Sequence, residues 1–333
     1  MSLQQRVIAG CTLIVLAAGV LGAGLARSQE PSNMSSTSLD GSKKPRIVAL
    51  LFSRDFEFMQ GLDRALRMEA DKLGAELDIL EGEFSTDVQT RQIDQAIADK
   101  VDAIIISPND SEEIVPAIKR AHAAKVPVIA VDAPVSEAAP VATFVGFDNA
   151  AGGKMAADYL ISLGTVTKAL DLEGAARHGH ADLRGEGFET TAKGKIEVVT
   201  GAAEWLEENA ETVAVEALSK DSSVNGIFAE TDAMVPGVLA ALRRVKRDAK
   251  VGEKGHVPIV GVDGTPLALD RIRNGEQDAT VNQDPLEMGA LAVRSALAAI
   301  RGESLPAEQV LPPTLVTREN VDDPALWGNR FKL

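Results

Sequence analysis

The segment RHGHADLRGEGF, at residues 177–188, contains three kinds of group that could bind a ligand or a metal ion. His178 and His180 could coordinate a metal ion, and a glycine-rich turn beside arginines could hold a phosphate. Arg184 could instead donate hydrogen bonds to a neutral ligand, because a guanidinium presents five donors in a planar fork. The neighbouring residues decide which of these interpretations the sequence favours.

Spacing argues against the metal and phosphate interpretations. His178 and His180 stand one residue apart, and the sequence offers no further ligand at metal spacing. The sequence GGK at Gly152–Lys154 lacks the GxxxxGK[ST] pattern of a phosphate loop and is typical of a helix start. No nucleophile–base pair is visible either. We therefore expect no metal, no cofactor and no catalysis, and we expect Arg184 to donate into a binding cleft.

Short apolar strands alternate with amphipathic helices from Arg46 onward. RIVALLF and VPVIAVD are typical buried strands, and the segment between them that begins DFEFMQGL places Met59, Leu62 and Leu66 on one helix face. This alternation predicts parallel sheets covered by helices on both faces. About eleven strands exceed one comfortable sheet. We therefore expect an α/β fold of two Rossmann-like lobes, joined by a three-segment hinge and followed by an extended tail.

Side chains that follow strands are the candidate site residues, because ligands of open α/β sheets bind beyond the carboxyl ends of the strands. Two lobes facing each other in this way would form a cleft. The candidates are the Phe52–Phe58 segment, Asp132, the loop Ala175–Arg184, Trp205, Thr231–Asp232, Asp263 and Gln283. Most have a structural alternative: the aspartates could cap helices, and the phenylalanines could belong to the core.

Residues 1–26 have the features of a signal peptide. Arg6 precedes an apolar run that ends in small residues, which is typical of a cleaved export signal. A membrane anchor is the alternative, because the run approaches the length that crosses a bilayer. Residues 27–44 predict a disordered leader. The single cysteine, Cys11, lies within the signal, so an exported periplasmic protein would have no disulfide.

The net charge of −15 bears on the partners of this chain. Such an acidic balance argues against nucleic acid and against anionic membrane surfaces, which both attract basic proteins. It allows a neutral ligand. The sequence therefore directs attention to small, uncharged molecules.

The order and spacing of several motifs resemble those of periplasmic sugar-binding proteins of ABC importers, of the ribose-binding type with the type I periplasmic-binding-protein fold. The resemblance runs from about Arg46 to Asn320 and rests on ISPNDSEEIVPAIKRAHAAKVPVIAVD, FDNAAGGKMAADYL, RGEGF, GIFAETDAM and VGVDGTP with DATVNQDP. It implies a receptor, not an enzyme, that closes on a monosaccharide or sugar alcohol and delivers it to an inner-membrane ABC permease. The lobes would comprise residues 45–147 plus 284–312 and residues 148–283 plus 313–333.

Two other functions share this fold. A periplasmic sensor that presents a sugar-like signal to a chemoreceptor or histidine kinase would use the same binding residues. A LacI-type regulator would need a helix-turn-helix before the first strand, where the signal-like segment lies. The resemblance also implies a monomer, with hinge segments near residues 146–148, 283–284 and 311–314.

The predicted ligand contacts are Phe52, Phe56, Phe58, Asp132, Arg184, Trp205, Thr231, Asp263 and Gln283. Most of them match contact positions of the family; Phe52 and Phe56 are predicted because they lie near Phe58. The aspartates would accept hydrogen bonds from sugar hydroxyls, and Arg184 would donate to the ring oxygen or a hydroxyl. Trp205 would stack on one face of the sugar with its indole N–H free, opposite Phe58. Whether His178 or His180 touches the ligand stays open.

Three positions depart from the ribose pattern. Met59 replaces the second aromatic residue of the stacking pair, Ala133 replaces an arginine after the strand-end aspartate, and Thr231 replaces an asparagine. The cleft thereby loses a cationic donor and gains apolar area. We therefore expect a related monosaccharide, a deoxy or methylated sugar, or a sugar alcohol rather than ribose itself.

Overall fold

The structure, a computed structural model, describes residues 43–331. The signal peptide predicted at residues 1–26 and nearly all of the leader predicted at residues 27–44 lie outside this range. Within it, no helix has the length and apolar character needed to span a bilayer.

Residues 43–331 form two six-stranded sheets, one in each of the two predicted lobes. In the first sheet the strands lie in the order β11-β5-β4-β3-β1-β2, and in the second in the order β12-β10-β9-β8-β6-β7. The strands are β1 (Arg46–Leu51), β2 (Glu76–Glu81), β3 (Ala103–Ser107), β4 (Val128–Asp132), β5 (Thr143–Phe147), β6 (Lys168–Glu173), β7 (Glu197–Ala202), β8 (Gly226–Ala229), β9 (Ile259–Asp263), β10 (Ala279–Asn282), β11 (Glu308–Leu311) and β12 (Thr314–Thr317).

The central strands are apolar along their whole length because helices cover both faces of each sheet. Every residue of β3, β4, β8 and β9 is buried. The helices are α1 (Glu57–Leu73), α2 (Thr86–Ala98), α3 (Val115–Ala123), α4 (Asn149–Ser162), α5 (Gly179–Ala192), α6 (Glu207–Lys220), α7 (Val235–Arg244), α8 (Pro266–Arg273), α9 (Pro285–Ile300) and α10 (Trp327–Arg330). The two-lobe α/β fold predicted from the sequence is confirmed.

The chain passes between the two sheets three times within residues 43–331. The passages lie between β5 and α4, between β10 and α9, and between β11 and β12. At the first two, Asp148 and Asp284 accept backbone N–H bonds from the first turns of α4 and α9. These caps fix the helix starts directly after the two passages, which run only from Phe147 to Asn149 and from Asn282 to Pro285.

The predicted extended tail is wrong in one respect. After α9 the described chain adds an edge strand to each sheet and then forms α10, whose Trp327 is fully buried. β12 runs antiparallel to β10, whereas the other pairings are parallel. A two-residue connection, residues 312–313, separates β11 in the first sheet from β12 in the second.

Gly153 lets α4 and α5 approach closely. A Cβ at Gly153 would overlap with the backbone carbonyl of Arg184, and a Cβ at Gly187 would overlap with that of Ala150. The GGK sequence therefore lies inside α4 and not in a phosphate loop. Its second glycine allows α5 to pack closely against α4. This contact holds the backbone of Arg184 in place.

Gly153→Ala is expected to lower the free energy of unfolding by about 1–3 kcal/mol, because the added methyl group meets backbone that cannot move aside. Thermal unfolding measured by circular dichroism checks this. Lys154→Ala, at the next and mostly exposed position of α4, is the control and should change the midpoint little. Equal midpoints for the two variants would contradict the close helix contact.

Candidate functional site

A cleft with about 330 Å³ of empty space lies among the carboxyl ends of the strands of both sheets. Its lining side chains are Phe52, Phe56, Phe58, Met59, Asp132, His180, Arg184, Trp205, Thr231, Asp263 and Gln283. All nine predicted contacts are in this set, and Met59 and His180 are additional. Their contact with a ligand stays a prediction, but the structure brings them to one place.

Asp132 ends β4 and carries the carboxylate of the first lobe. Its φ of 66° is left-handed, a conformation that aspartate tolerates better than most residues and that turns its side chain away from the strand. The Ser107 hydroxyl donates to Oδ2 at 3.0 Å. Burial raises the pKa of the Asp132 carboxyl to about 7, although Arg184 and the Ser107 hydrogen bond favour the charged form.

Asp263 ends β9 and carries the carboxylate of the second lobe. The Thr231 hydroxyl donates to Oδ2 at 2.6 Å, and Gln283 Nε2 donates to Oδ1 at 2.7 Å. Its φ of 118° is a rare conformation for a residue with a side chain, and such strain persists where the surroundings determine it. Burial raises the pKa of Asp263, whereas Arg184 and these two donors lower it.

Gln283 retains an open acceptor. Its Oε1 is buried and has no hydrogen-bond partner among residues 43–331, while its Nε2 is engaged by Asp263. A buried amide oxygen without a partner is costly, so a ligand hydroxyl donated to it would be stabilising.

Asp232 supports the site rather than lining it. Its carboxylate accepts bonds from Gly264 N at 2.8 Å, from Gln277 Nε2 at 2.9 Å and from Thr280 Oγ1 at 2.8 Å. These bonds fix the turn that follows β9. Asp232 therefore determines the direction in which Asp263 points.

Arg184 lies in the middle of α5 with its guanidinium buried. Nε donates to Asn149 Oδ1 at 2.8 Å, and Nη1 donates to the Glu230 carbonyl at 2.6 Å. Nη1 also lies 3.9 Å from Asp263 Oδ1. The fork is thus held rigidly at the cleft beside one carboxylate, which preorganises it for hydrogen bonding.

The indole N–H of Trp205 is not free, which corrects the sequence prediction. It donates to His178 Nδ1 at 3.1 Å. Because Nδ1 accepts, the His178 proton lies on Nε2, which faces Asn109 Oδ1 at 3.4 Å. Burial lowers the pKa of His178 to about 4, so its imidazole is neutral at neutral pH. Trp205 is therefore fixed in orientation by this histidine.

The three phenylalanines have different neighbours. Phe52 packs edge-on against His178 with ring centroids 5.1 Å apart, and it also contacts Phe56 at 6.2 Å. Phe58 packs edge-on against Trp327 at 6.4 Å. The Trp327 indole N–H donates to the Asp263 carbonyl at 2.7 Å. Sequence reasoning missed Trp327, whose only signal was a tryptophan in the segment predicted to be an extended tail.

Residues 177–179 bind the first lobe directly. Arg177 lies 3.0 Å from the Asp110 carboxylate and 2.9 Å from that of Glu113. Ser111 N donates to the Arg177 carbonyl at 3.2 Å, and the Ser111 hydroxyl accepts from Gly179 N at 3.2 Å. We call residues 177–179 with residues 109–113 the clasp. The two lobes are closed on each other at the clasp.

No group of three or more His, Cys, Asp or Glu residues in the described part of the chain is arranged to hold a metal ion. His178 binds Trp205 and faces Asn109, and His180 stacks on Trp205 with ring centroids 5.0 Å apart. The HGH sequence begins α5 rather than lying in a loop. Both histidines thus belong to the wall of the cleft and its support.

Asp132→Asn is expected to become more stabilising, relative to the unchanged protein, as the pH rises from about 4 to about 7. The folded pKa of Asp132 is raised above the unfolded value, so its protonated form contributes stability at low pH, and this is lost as the carboxyl ionises. Unfolding midpoints of both ligand-free proteins at pH 4.5 and pH 8 measure the difference, in which other titrating groups cancel. A difference that is the same at both pH values would contradict this burial of Asp132.

Comparison with known proteins agrees with this geometry. Residues 47–304 match the periplasmic binding protein domain family. The ribose import binding protein RbsB of Bacillus subtilis (strain 168) is 31% identical over 295 residues, which cover 88% of this chain and 94% of that protein. The xylitol-binding protein of Mycolicibacterium smegmatis is 28% identical, over 74% of this chain and 70% of that protein.

A solved structure shows the same fold. It is a periplasmic solute-binding protein of an ABC transporter from Actinobacillus succinogenes, with D-allose bound. The TM-score is 0.77 at 28% identity, covering 84% of this chain and 100% of that one. The match to the family extends over most of the chain, and the cleft lies where the fold places ligands. The chain therefore belongs to the periplasmic binding protein family, and within it to the sugar-binding proteins of the ribose type.

Proposed function

We propose that this protein is a monomeric receptor of the periplasm that captures one monosaccharide or sugar alcohol in the cleft and delivers it to an ABC permease of the inner membrane. The family consists of solute-binding proteins, not enzymes. The names of two relatives, a ribose import binding protein and a solute-binding protein of an ABC transporter, favour delivery to a permease over presentation to a sensor.

One observation carries this proposal: a carboxylate from each lobe lines the same cleft, together with a buried, positively charged guanidinium. Asp132 comes from the first lobe, and Asp263 and Arg184 come from the second. A molecule with several adjacent hydroxyls can donate to both carboxylates and accept from the arginine at once. Such a ligand would link the lobes through hydrogen bonds that neither lobe can offer alone.

The composition of the cleft restricts the ligand further. Phe52, Phe56, Phe58 and Met59 provide an apolar wall in the first lobe. A neutral ligand with a C–H face therefore fits better than a phosphorylated or acidic sugar.

The clasp supports a mechanism of closure. Its bonds join residues on opposite sides of the cleft, so they form only when the lobes are together. Each ion pair of this kind contributes little to stability, about 0–1 kcal/mol. The clasp alone therefore favours the closed form over the open form only weakly. A bound sugar that joins the lobes would shift this balance towards the closed form.

A thermal-shift screen tests the proposal, because a ligand that binds the folded state raises its unfolding midpoint. The probes are D-ribose, D-allose, xylitol and a deoxy sugar, with ribose 5-phosphate and a disaccharide as controls. We expect at least one neutral monosaccharide or polyol to raise the midpoint and the controls to leave it unchanged. A shift with the controls alone, or with none of the probes, would contradict the proposal.

A further inference from the structure

We propose that His180 is a ligand-contacting residue that determines which hydroxyl pattern the cleft accepts. This inference rests on the proposed function and goes beyond it, because it names a specificity-determining side chain. His180 replaces none of the predicted contacts; it joins them as an additional polar group in the wall of the cleft.

The placement of His180 in the wall is set by two neighbours. Its ring stacks on Trp205 with an interplanar angle of 15° and a centroid distance of 5.0 Å. His178 lies beside both rings: its ring centroid is 5.5 Å from that of His180, and its Nδ1 accepts the indole N–H of Trp205. Because His180 lies in the first turn of α5, the helix that carries Arg184, its position relative to that guanidinium is rigid.

One ring nitrogen of His180 makes no hydrogen bond within the described part of the protein. Its Nδ1 is buried and lacks a hydrogen-bond partner among residues 43–331. His178, by contrast, uses Nδ1 for Trp205 and directs Nε2 towards Asn109. A buried ring nitrogen without a partner costs free energy, so a ligand hydroxyl that meets it would remove that cost.

The charge state of His180 suits a neutral ligand. Burial, the adjacent Arg184 and His178 all hold its pKa well below the usual value. The imidazole is therefore neutral at neutral pH, with one nitrogen that donates and one that accepts. Such a ring can pair with a hydroxyl in either direction, which a second arginine could not do.

Two substitutions separate a ligand contact from a packing role. His180→Phe keeps an aromatic ring on Trp205 and removes both nitrogens, whereas His180→Gln restores a polar group. Affinities for D-ribose, D-allose and xylitol would be measured by titration calorimetry, followed by monodeoxy analogues of the tightest of the three. His122→Phe is the control, because that histidine lies in the last turn of α3, and its substitution should leave the affinities unchanged.

We expect His180→Phe to weaken binding of the tightest sugar by about tenfold, the effect of one net hydrogen bond, and His180→Gln to recover part of it. One monodeoxy analogue should bind both the unchanged protein and His180→Phe equally, since its missing hydroxyl is the partner. Unchanged affinity in folded His180→Phe, or an equal loss for every analogue, would overturn the inference. If His180→Phe does not fold, His180→Ala, which also removes both nitrogens, takes its place in the same comparison. An unchanged protein that binds none of the probes would instead overturn the proposed function.

Discussion

Replacement of Asp263 with alanine is expected to weaken, by at least about thirtyfold, the binding of every sugar that the unchanged protein binds. The carboxylate lies at the centre of a set of buried donors, with Thr231 and Gln283 on its two oxygens and Arg184 at 3.9 Å. Loss of one partner of a buried, hydrogen-bonded charge costs about 2–5 kcal/mol, which is at least about thirtyfold in affinity. Titration calorimetry measures it.

Two controls distinguish binding from folding in this experiment. Asp263→Asn keeps the size of the side chain and one oxygen acceptor, so we expect an intermediate affinity. The unfolding midpoint of ligand-free Asp263→Ala should fall by only a few degrees, because Asp232 and not Asp263 holds the turn after β9. Collapse of the ligand-free fold would show that Asp263 is primarily structural.

Trp205→Ala is expected to weaken sugar binding by at least about tenfold, or ~1.4 kcal/mol, because buried aromatic side chains are typical anchors of binding sites. The substitution removes the indole from the cleft and also deprives His178 of its donor and His180 of its stacking surface. The expected loss therefore exceeds that of His180→Phe. Calorimetry on the two variants side by side checks this order.

The variant Trp205→Phe keeps an aromatic surface while removing the bond to His178. We expect it to retain more affinity than Trp205→Ala, with the difference reporting the contribution of the ring. If Trp205→Ala binds as tightly as the unchanged protein, Trp205 does not contact the ligand.

The fold could be predicted from the sequence because apolar residues recur with different spacings in its strands and in its helices. The apolar runs that became β3, β4 and β9 could only be buried between two layers of helices, and the helix from Glu57 to Leu73 showed one apolar face. The tail was harder to predict. The four-residue strands β11 and β12 contain charged and polar residues, and their pairing depends on distant edges of the two sheets.

The candidate site was predictable to the extent that it follows the ends of strands. Asp132 and Asp263 ended apolar runs, and they line one cleft in the structure. Trp327 was not predictable, and the sequence left open whether His180 touches the ligand, because both roles depend on rings from other segments of the chain. The bond from Trp205 to His178 likewise joins residues 27 positions apart. Only the folded structure shows these contacts.

The central claim is that one sugar occupies the cleft between the two lobes. A crystal structure of the protein with the tightest ligand of the screen tests this claim most directly. We predict one sugar ring within hydrogen-bond distance of Asp132, Arg184 and Asp263, with Trp205 in contact with it. A sugar bound outside the cleft, or bound within it without contact to both carboxylates, would contradict the account.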